Sequence, residues 1–220
     1  MVEKFKNKYR IQSHRMPGWD YSNNGIYFLT IVTQNRKCIM GNVIIDKNTH
    51  PYVSLSDFGK IVNNEWIQSF EIRDEIFLDT YIIMPNHIHA IVVLNKNKMN
   101  DTHNMDEMHN VGGTHVETHG RASLRANRSK QQNQFVRKPK SISSFIGGFK
   151  SAVNSKIDDF IDQNNLDIPK YNRDNHFFQS NYHDHIIRNN AEYERIKKYI
   201  INNPLKWDND KFNPDLRNQT

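Results

Sequence analysis

Apolar residues recur along this chain with two different periods, and the changes between them lay out the elements. Ile26 to Thr33 (IYFLTIVT) is a run of β-branched and aromatic residues and predicts a buried strand. After a looser stretch over 34–53 the period lengthens. Phe58, Ile61, Val62 and Trp66 fall at i, i+3, i+4 and i+8, one stripe of a helix, with Ser56 placed to cap it. Phe77 to Ile83 and His87 to Leu94 are short apolar runs on either side of Met84-Pro85-Asn86 and predict an antiparallel hairpin. Proline suits that turn because it has no N–H to give a sheet ladder. The longest helical stripe is Ile142, Phe145, Ile146, Phe149, Val153, Ile157, Phe160 and Ile161, with Ser141 as its cap. Gly147-Gly148 inside it costs roughly 1 kcal/mol per glycine relative to alanine. The pair leaves room for close packing or for a phosphate backbone. Phe177 to Arg188 leads into a last helix that starts at Asn189, has Glu192 at the capping-box spacing, and runs to about Asn203 before Pro204.

The order is strand, helix, strand, strand, helix, helix, with one or two more strands from residues 40–55 and the 177–188 region. It predicts an α+β sandwich in which helices cover one face of an antiparallel sheet. The pattern lapses twice. Residues 1–24 are polar and broken by Pro17-Gly18 and Asn23-Asn24. Residues 95–140 are rich in Asn, His, Gln, Lys and Arg without periodicity, and a structureless connection that long is unusual inside a compact domain. They read as an insertion that is disordered in isolation, with His103, His109, His115 and His119 too irregularly spaced for a metal cluster.

Composition narrows the class. A chain of 220 residues can bury a core without disulfide staples, and its one cysteine, Cys38, forms no internal bridge. A reducing, cytoplasmic location is expected. No apolar run approaches the roughly 18 residues of a membrane span, and MVEKFKNKYR has no apolar stretch after its basic residues, so no secretory signal is expected. The net charge of +6 is concentrated. Thr118 to Ile157 contains no acidic residue but holds Arg121, Arg125, Arg128, Lys130, Arg137, Lys138, Lys140, Lys150 and Lys156. A basic field of this kind attracts a polyanion, nucleic acid being the commonest, or else is a solvated basic loop.

Two His-x-His pairs occur, His87/His89 and His183/His185; with 11 histidines in the chain the spacing alone says little. His87 and His89 open an apolar strand, so both rings point to one face, with Cα atoms roughly 6.5–7 Å apart, and two imidazoles so placed can share a metal ion. Beside Ile91 and Val93 they need partners, and core histidines satisfied by backbone carbonyls are the alternative. His183 and His185, in an Asn-rich segment, suit a supporting role or none. Tyr199 and Asn203, four residues apart, share one face of the last helix. A tyrosine hydroxyl can serve as a nucleophile, and an asparagine carboxamide oxygen can join a metal's oxygen ligands. On helix geometry alone a packed tyrosine is the favoured reading.

Met84-Pro85-Asn86-His87-Ile88-His89, followed by an apolar strand, resembles the HUH motif of single-tyrosine transposases. The downstream run is similar to that of the REP-associated tyrosine transposases: Phe178-Gln179, Tyr182, Asp184-His185-Ile186-Ile187-Arg188, then Tyr199-Ile200-Ile201-Asn202-Asn203-Pro204. The segment from Arg15 through Pro17-Gly18-Trp19-Asp20-Tyr21 into Tyr27-Phe28-Leu29-Thr30 also resembles that group. The likeness covers most of residues 10–94 and 141–207 and leaves out the basic insertion. It implies a ferredoxin-like α+β fold with helices on one face, as one HUH domain over residues 1–220 with a flexible basic insertion at 95–140. It implies Mg²⁺ or Mn²⁺ held by His87, His89 and Asn203, with Tyr199 as nucleophile. The implied reaction is cleavage and rejoining of single-stranded hairpin DNA through a 5′-phosphotyrosine, by a monomer or a homodimer. Single-strand binding needs basic residues along the backbone and aromatics under the bases. Arg121, Arg125, Arg128, Lys130, Arg137, Lys138, Lys140 and Lys150, together with His185 and Arg188, are the expected DNA contacts. Trp19, Tyr21 and Tyr182 are candidate stacking or core residues. Two alternatives remain at this level: a hairpin-binding protein without efficient turnover, and a zinc hydrolase built on His87 and His89, for which no acidic third ligand is evident.

Overall fold

The computed structural model describes residues 18–45, 50–97, 138–172, 174–214 and 216, and the backbone of two short strands before them. Those strands, β1 (Lys4–Phe5) and β2 (Lys8–Tyr9), pair as an antiparallel ribbon. The frame that positions the site is a four-stranded antiparallel sheet of β3 (Gly25–Val32), β6 (Ile76–Ile83), β7 (His87–Leu94) and β8 (His183–Ile187), in the order β6-β7-β3-β8. The helices are α1 (Asp57–Glu71), between β3 and β6; α2 (Ile142–Gln163), between β7 and β8; and α3 (Asn190–Ile201), after β8. This is the ferredoxin-like α+β arrangement. The strands expected in 40–55 form a separate hairpin, β4 (Gly41–Ile44) with β5 (Tyr52–Leu55). Among the described residues no helix is long and apolar enough to cross a membrane.

The pleat sorts β7 into two faces. Ile88, Ala90, Val92 and Leu94 join Tyr27, Leu29 and Ile31 of β3 in the large core under α1 and α2. Trp66 of α1 anchors that core, with edge contacts to Phe145 (5.5 Å between ring centroids) and Phe149 (5.0 Å) of α2. Helices on one face were the expectation, and α3 departs from it. Ile196 and Ile200 pack with Ile91 and Ile187 on the opposite face, beside Phe28 and Tyr199. The physical reason is that the central strands are apolar on both sides, so a second layer is needed to keep water off Ile91 and Ile187.

The helix starts are capped as the residue types predict. Ser56 accepts from the Gly59 N–H and Asn189 from the Glu192 N–H, while Ser141 and Ser144 form a reciprocal capping box. Of the glycine pair in α2, Gly148 faces Arg73: a Cβ there would lie 2.7 Å from the guanidinium, which sits over the Phe145 ring. The space beside Gly148 is taken up by a side chain of the protein. At the other end of the chain α3 stops at Ile201, short of the expected Asn203, and Pro204–Asn209 form a 3₁₀ segment. Asn203 therefore stands in the junction between the two helices.

Candidate metal and nucleophile site

The second face of the sheet is apolar at Ile26, Ile91 and Ile187 and turns polar toward Thr30, His89 and His183. β3 is central, and its Thr30 lies between His89 of β7 and His183 of β8, while Phe28 lies between Ile91 and His185. His87 pairs with Val32 at the start of β7. The two rings of the His-x-His pair stand 4.5 Å apart, and His87 is fully buried. Each ring has side-chain partners, and His89 also has a backbone contact at Leu29. His87 Nδ1 is 2.9 Å from Asn86 Oδ1, His89 Nδ1 is 2.9 Å from Thr30 Oγ1, and His89 Nε2 is 3.1 Å from Tyr199 Oη.

Burial sets the protonation states. It pushes His87 down from 6.5 to about 3, and it pushes His89 well below that ordinary value with help from the neighbouring His87. Both rings are therefore neutral at pH 7, as metal ligation requires. Burial, and then the negative charge of Asp210, push Tyr199 up. Its hydroxyl keeps its proton at neutral pH.

Asn203 is fully buried, donates from Nδ2 to Asp210 Oδ2 (3.3 Å), and leaves Oδ1 without a hydrogen bond. His87 Nε2 is likewise buried and makes no hydrogen bond of good geometry, although the Asn203 carboxamide is near enough to favour the protonated ring and partly offset burial. Two adjacent buried electron-pair donors with no donor between them are what a cation satisfies. Asp210 completes the set: the ligand atoms of His87, His89 and Asp210 all lie within 4.8 Å of one another. Two imidazoles, a carboxamide oxygen and a carboxylate fit a divalent ion such as Mn²⁺ or Mg²⁺.

Asp210 was not legible in the sequence. It follows the 3₁₀ segment, beyond Pro204 where the sequence predicts no helix, so its separation of seven from Asn203 carries no signal, and it reaches the site only because the chain folds back there. Its Oδ1 accepts from the Phe212 N–H at 2.7 Å, which turns the chain so that the Phe212 ring covers His87, with centroids 4.6 Å apart. Arg36, in a left-handed turn at φ 56°, donates from its guanidinium to the Lys211 carbonyl (2.7 Å) and lies over the same ring.

A cleft of about 810 Å³ opens onto this cluster between β3, β8, α3 and the segment after it. Tyr199 and His89 lie at its base, and His183, Arg195, Lys206 and Lys211 bring donors to its walls. His185 also lines it, its Nε2 2.8 Å from Glu192 Oε1. Among the described residues, the expected contacts Lys138, Lys140, Lys150 and Arg188 do not line it. Lys138 pairs with Asp20 at 2.6 Å, and Lys150 donates to the carbonyls of Gln179 (2.6 Å) and Ser180 (3.3 Å). Lys140 is exposed near the start of α2, and the Arg188 N–H donates to Glu192. Arg121, Arg125, Arg128, Lys130 and Arg137 lie outside the described residues, as does most of the 95–140 insertion. Of the candidate stacking residues, Tyr21 is buried in the core, with Trp19 and Tyr182 packed against it.

No family model matches the chain. A Haemophilus influenzae protein described as uncharacterized is 28% identical over 204 residues, 93% of each chain. Among solved structures, the chain is similar to a REP-associated tyrosine transposase bound to a REP hairpin, at 15% identity and a TM-score of 0.46, covering 89% of this chain and 74% of that one. It is also similar to a putative transposase from Deinococcus radiodurans, at 14% identity and a TM-score of 0.34, covering 86% and 95%.

Proposed function

We propose that this chain is a metal-dependent DNA strand transferase of the single-tyrosine HUH type, cleaving and rejoining single-stranded hairpin DNA. The observation that carries the reading is the convergence of Tyr199 Oη, His89 Nε2 and the buried electron-pair donors of His87, Asn203 and Asp210, with Tyr199, His89 and Asp210 lining one cleft. His87, His89 and Asn203 would hold Mg²⁺ or Mn²⁺, with Asp210 adding the negative charge; the bound ion supplies polarisation of the scissile phosphate. Tyr199 Oη forms the bond to phosphorus and the bond from phosphorus to the DNA 3′ oxygen breaks. The proton lost by Tyr199 balances the one gained by the departing 3′ hydroxyl. The 5′-phosphotyrosine keeps the diester energy, so attack by a second 3′ hydroxyl rejoins strands and restores Tyr199. Arg195, Lys206 and Lys211 suit the DNA phosphates.

The test is incubation of labelled single-stranded hairpin oligonucleotides with Mn²⁺ or Mg²⁺, resolved on a denaturing protein gel. The expected result is a metal-dependent covalent adduct that is lost in Tyr199→Phe and His87→Ala. Binding without an adduct, across several hairpins and both metals, would replace this reading with that of a hairpin-binding protein. Asp210 supports one further reading, because it supplies the carboxylate that a hydrolase built on His87 and His89 needs. That reading requires strand hydrolysis that survives Tyr199→Phe.

A further inference from the structure

Asn86 is fully buried in the turn before β7, and its carbonyl and both ends of its carboxamide are engaged. Its backbone carbonyl accepts from the Thr33 N–H at 2.9 Å. Its side-chain Nδ2 donates to two carbonyls from distant parts of the chain, Arg36 at 2.9 Å and Phe212 at 2.7 Å. A carbonyl can only accept, so the carboxamide cannot be turned over without setting its oxygen against two others. Oδ1 is thereby committed to His87 Nδ1, 2.9 Å away. An oxygen with no hydrogen must meet an N–H, so the proton of the neutral His87 ring sits on Nδ1. Its lone pair is then on Nε2, the atom left buried without a hydrogen bond beside Asn203.

We propose that Asn86 is a positioning residue that sets the tautomer and ring plane of His87 and so aims the Nε2 lone pair into the site. Its consequence for metal affinity rests on the metal-site reading above; the tautomer does not. Free histidine prefers the opposite tautomer, with the proton on Nε2, and that form would turn an N–H toward the ion. The arrangement also couples the turn to two segments that enclose the site, since one carboxamide holds both the Arg36 loop and the Phe212 segment.

The test is a long-range ¹H–¹⁵N correlation spectrum of metal-free protein labelled at histidine, with the His87 signals assigned by their loss in His87→Gln. Wild-type protein is expected to show His87 protonated at Nδ1. Asn86→Asp keeps an acceptor against Nδ1 but loses both donors to the Arg36 and Phe212 carbonyls, so it is expected to retain that form with a lower urea midpoint. Asn86→Ser is expected to release it and to weaken Mn²⁺ binding, measured by electron paramagnetic resonance, by about 10–100-fold. Protonation of His87 at Nε2 in the wild-type spectrum would overturn the proposal, and this arm needs no variant to fold. A folded Asn86→Ser protein with an unchanged tautomer would also overturn it. Failure of wild-type protein to bind Mn²⁺ would sink the metal-site reading, and the spectrum would still decide the tautomer.

Discussion

At the scale of residues, the site is defined by what its buried atoms lack. Leaving a buried donor or acceptor unpaired costs roughly 1–3 kcal/mol, and His87 Nε2 and Asn203 Oδ1 are both in that condition. His89 differs, because Tyr199 Oη already holds its Nε2. Tyrosine and ion therefore draw on one nitrogen, and Tyr199→Phe should bind Mn²⁺ at least as tightly as wild type while losing the covalent adduct. A titration calorimetry experiment in which Tyr199→Phe binds weaker would place the tyrosine among the ligands. Asp210→Asn removes the carboxylate charge from the cluster and should weaken Mn²⁺ binding by about tenfold or more. It should also lower the Tyr199 pKa, because Asp210 is one of the groups raising it. The ultraviolet phenolate titration, taken as the difference from Tyr199→Phe, reads that shift. His87, His89, Tyr199 and Asn203 could be singled out from motif and spacing; Asp210 could not, since nothing in its local sequence distinguishes it from Asp208.

At the scale of elements, similar-looking glycines have opposite roles. A Cβ on Gly59 would overlap the carbonyl oxygen of Met40, a backbone atom held by the Ser56 N–H. Gly59→Ala should therefore destabilise by about 1–3 kcal/mol, as overpacking does. A Cβ on Gly148 would meet only the end of the Arg73 side chain. That end can move, and the gain in helix propensity is about 1 kcal/mol, so Gly148→Ala should be neutral or mildly stabilising. Urea unfolding of the two variants checks the contrast, and equal losses would refute it. The helix caps and the β6–β7 hairpin were legible because they depend on residues close in sequence. The face on which α3 packs was not, because its stripe of Ile196 and Ile200 fits either side of a sheet that is apolar on both.

At the scale of the whole molecule, the buried histidines make stability depend on pH. His87 and His89 titrate far below 6.5 when folded and near it when unfolded. Above the unfolded value both states are neutral and the pair contributes no dependence. As pH falls below about 6.5 the unfolded chain takes up protons that the folded one refuses, so stability falls. The limiting slope is about 1.4 kcal/mol per pH unit for each group. The expected result for metal-free protein is a urea midpoint that drops from pH 7 to 5, above the range where carboxylates titrate, with a shallower drop in His87→Gln. An equal drop in that variant would remove His87 from the account. The cleft itself belongs to this scale, since it is assembled from β3, β8, α3 and the segment after the 3₁₀ turn.

Sequence alone determined the three helices with their caps, the main sheet strands, the shared face of His87 and His89, and the family that the motifs resemble. These follow from periodicity and from contacts a few residues long, which the chain carries locally. Only the tertiary structure decided that His87 and His89 have side-chain partners, that α3 lies on the second face, and that Lys138 and Lys150 are engaged within the protein. It also decided that Asp210, Phe212 and Arg36 close around the two rings. The reason is that a hydrogen bond between Asn86 and Phe212 spans 126 residues, and no local pattern records which distant carbonyl a buried carboxamide will meet.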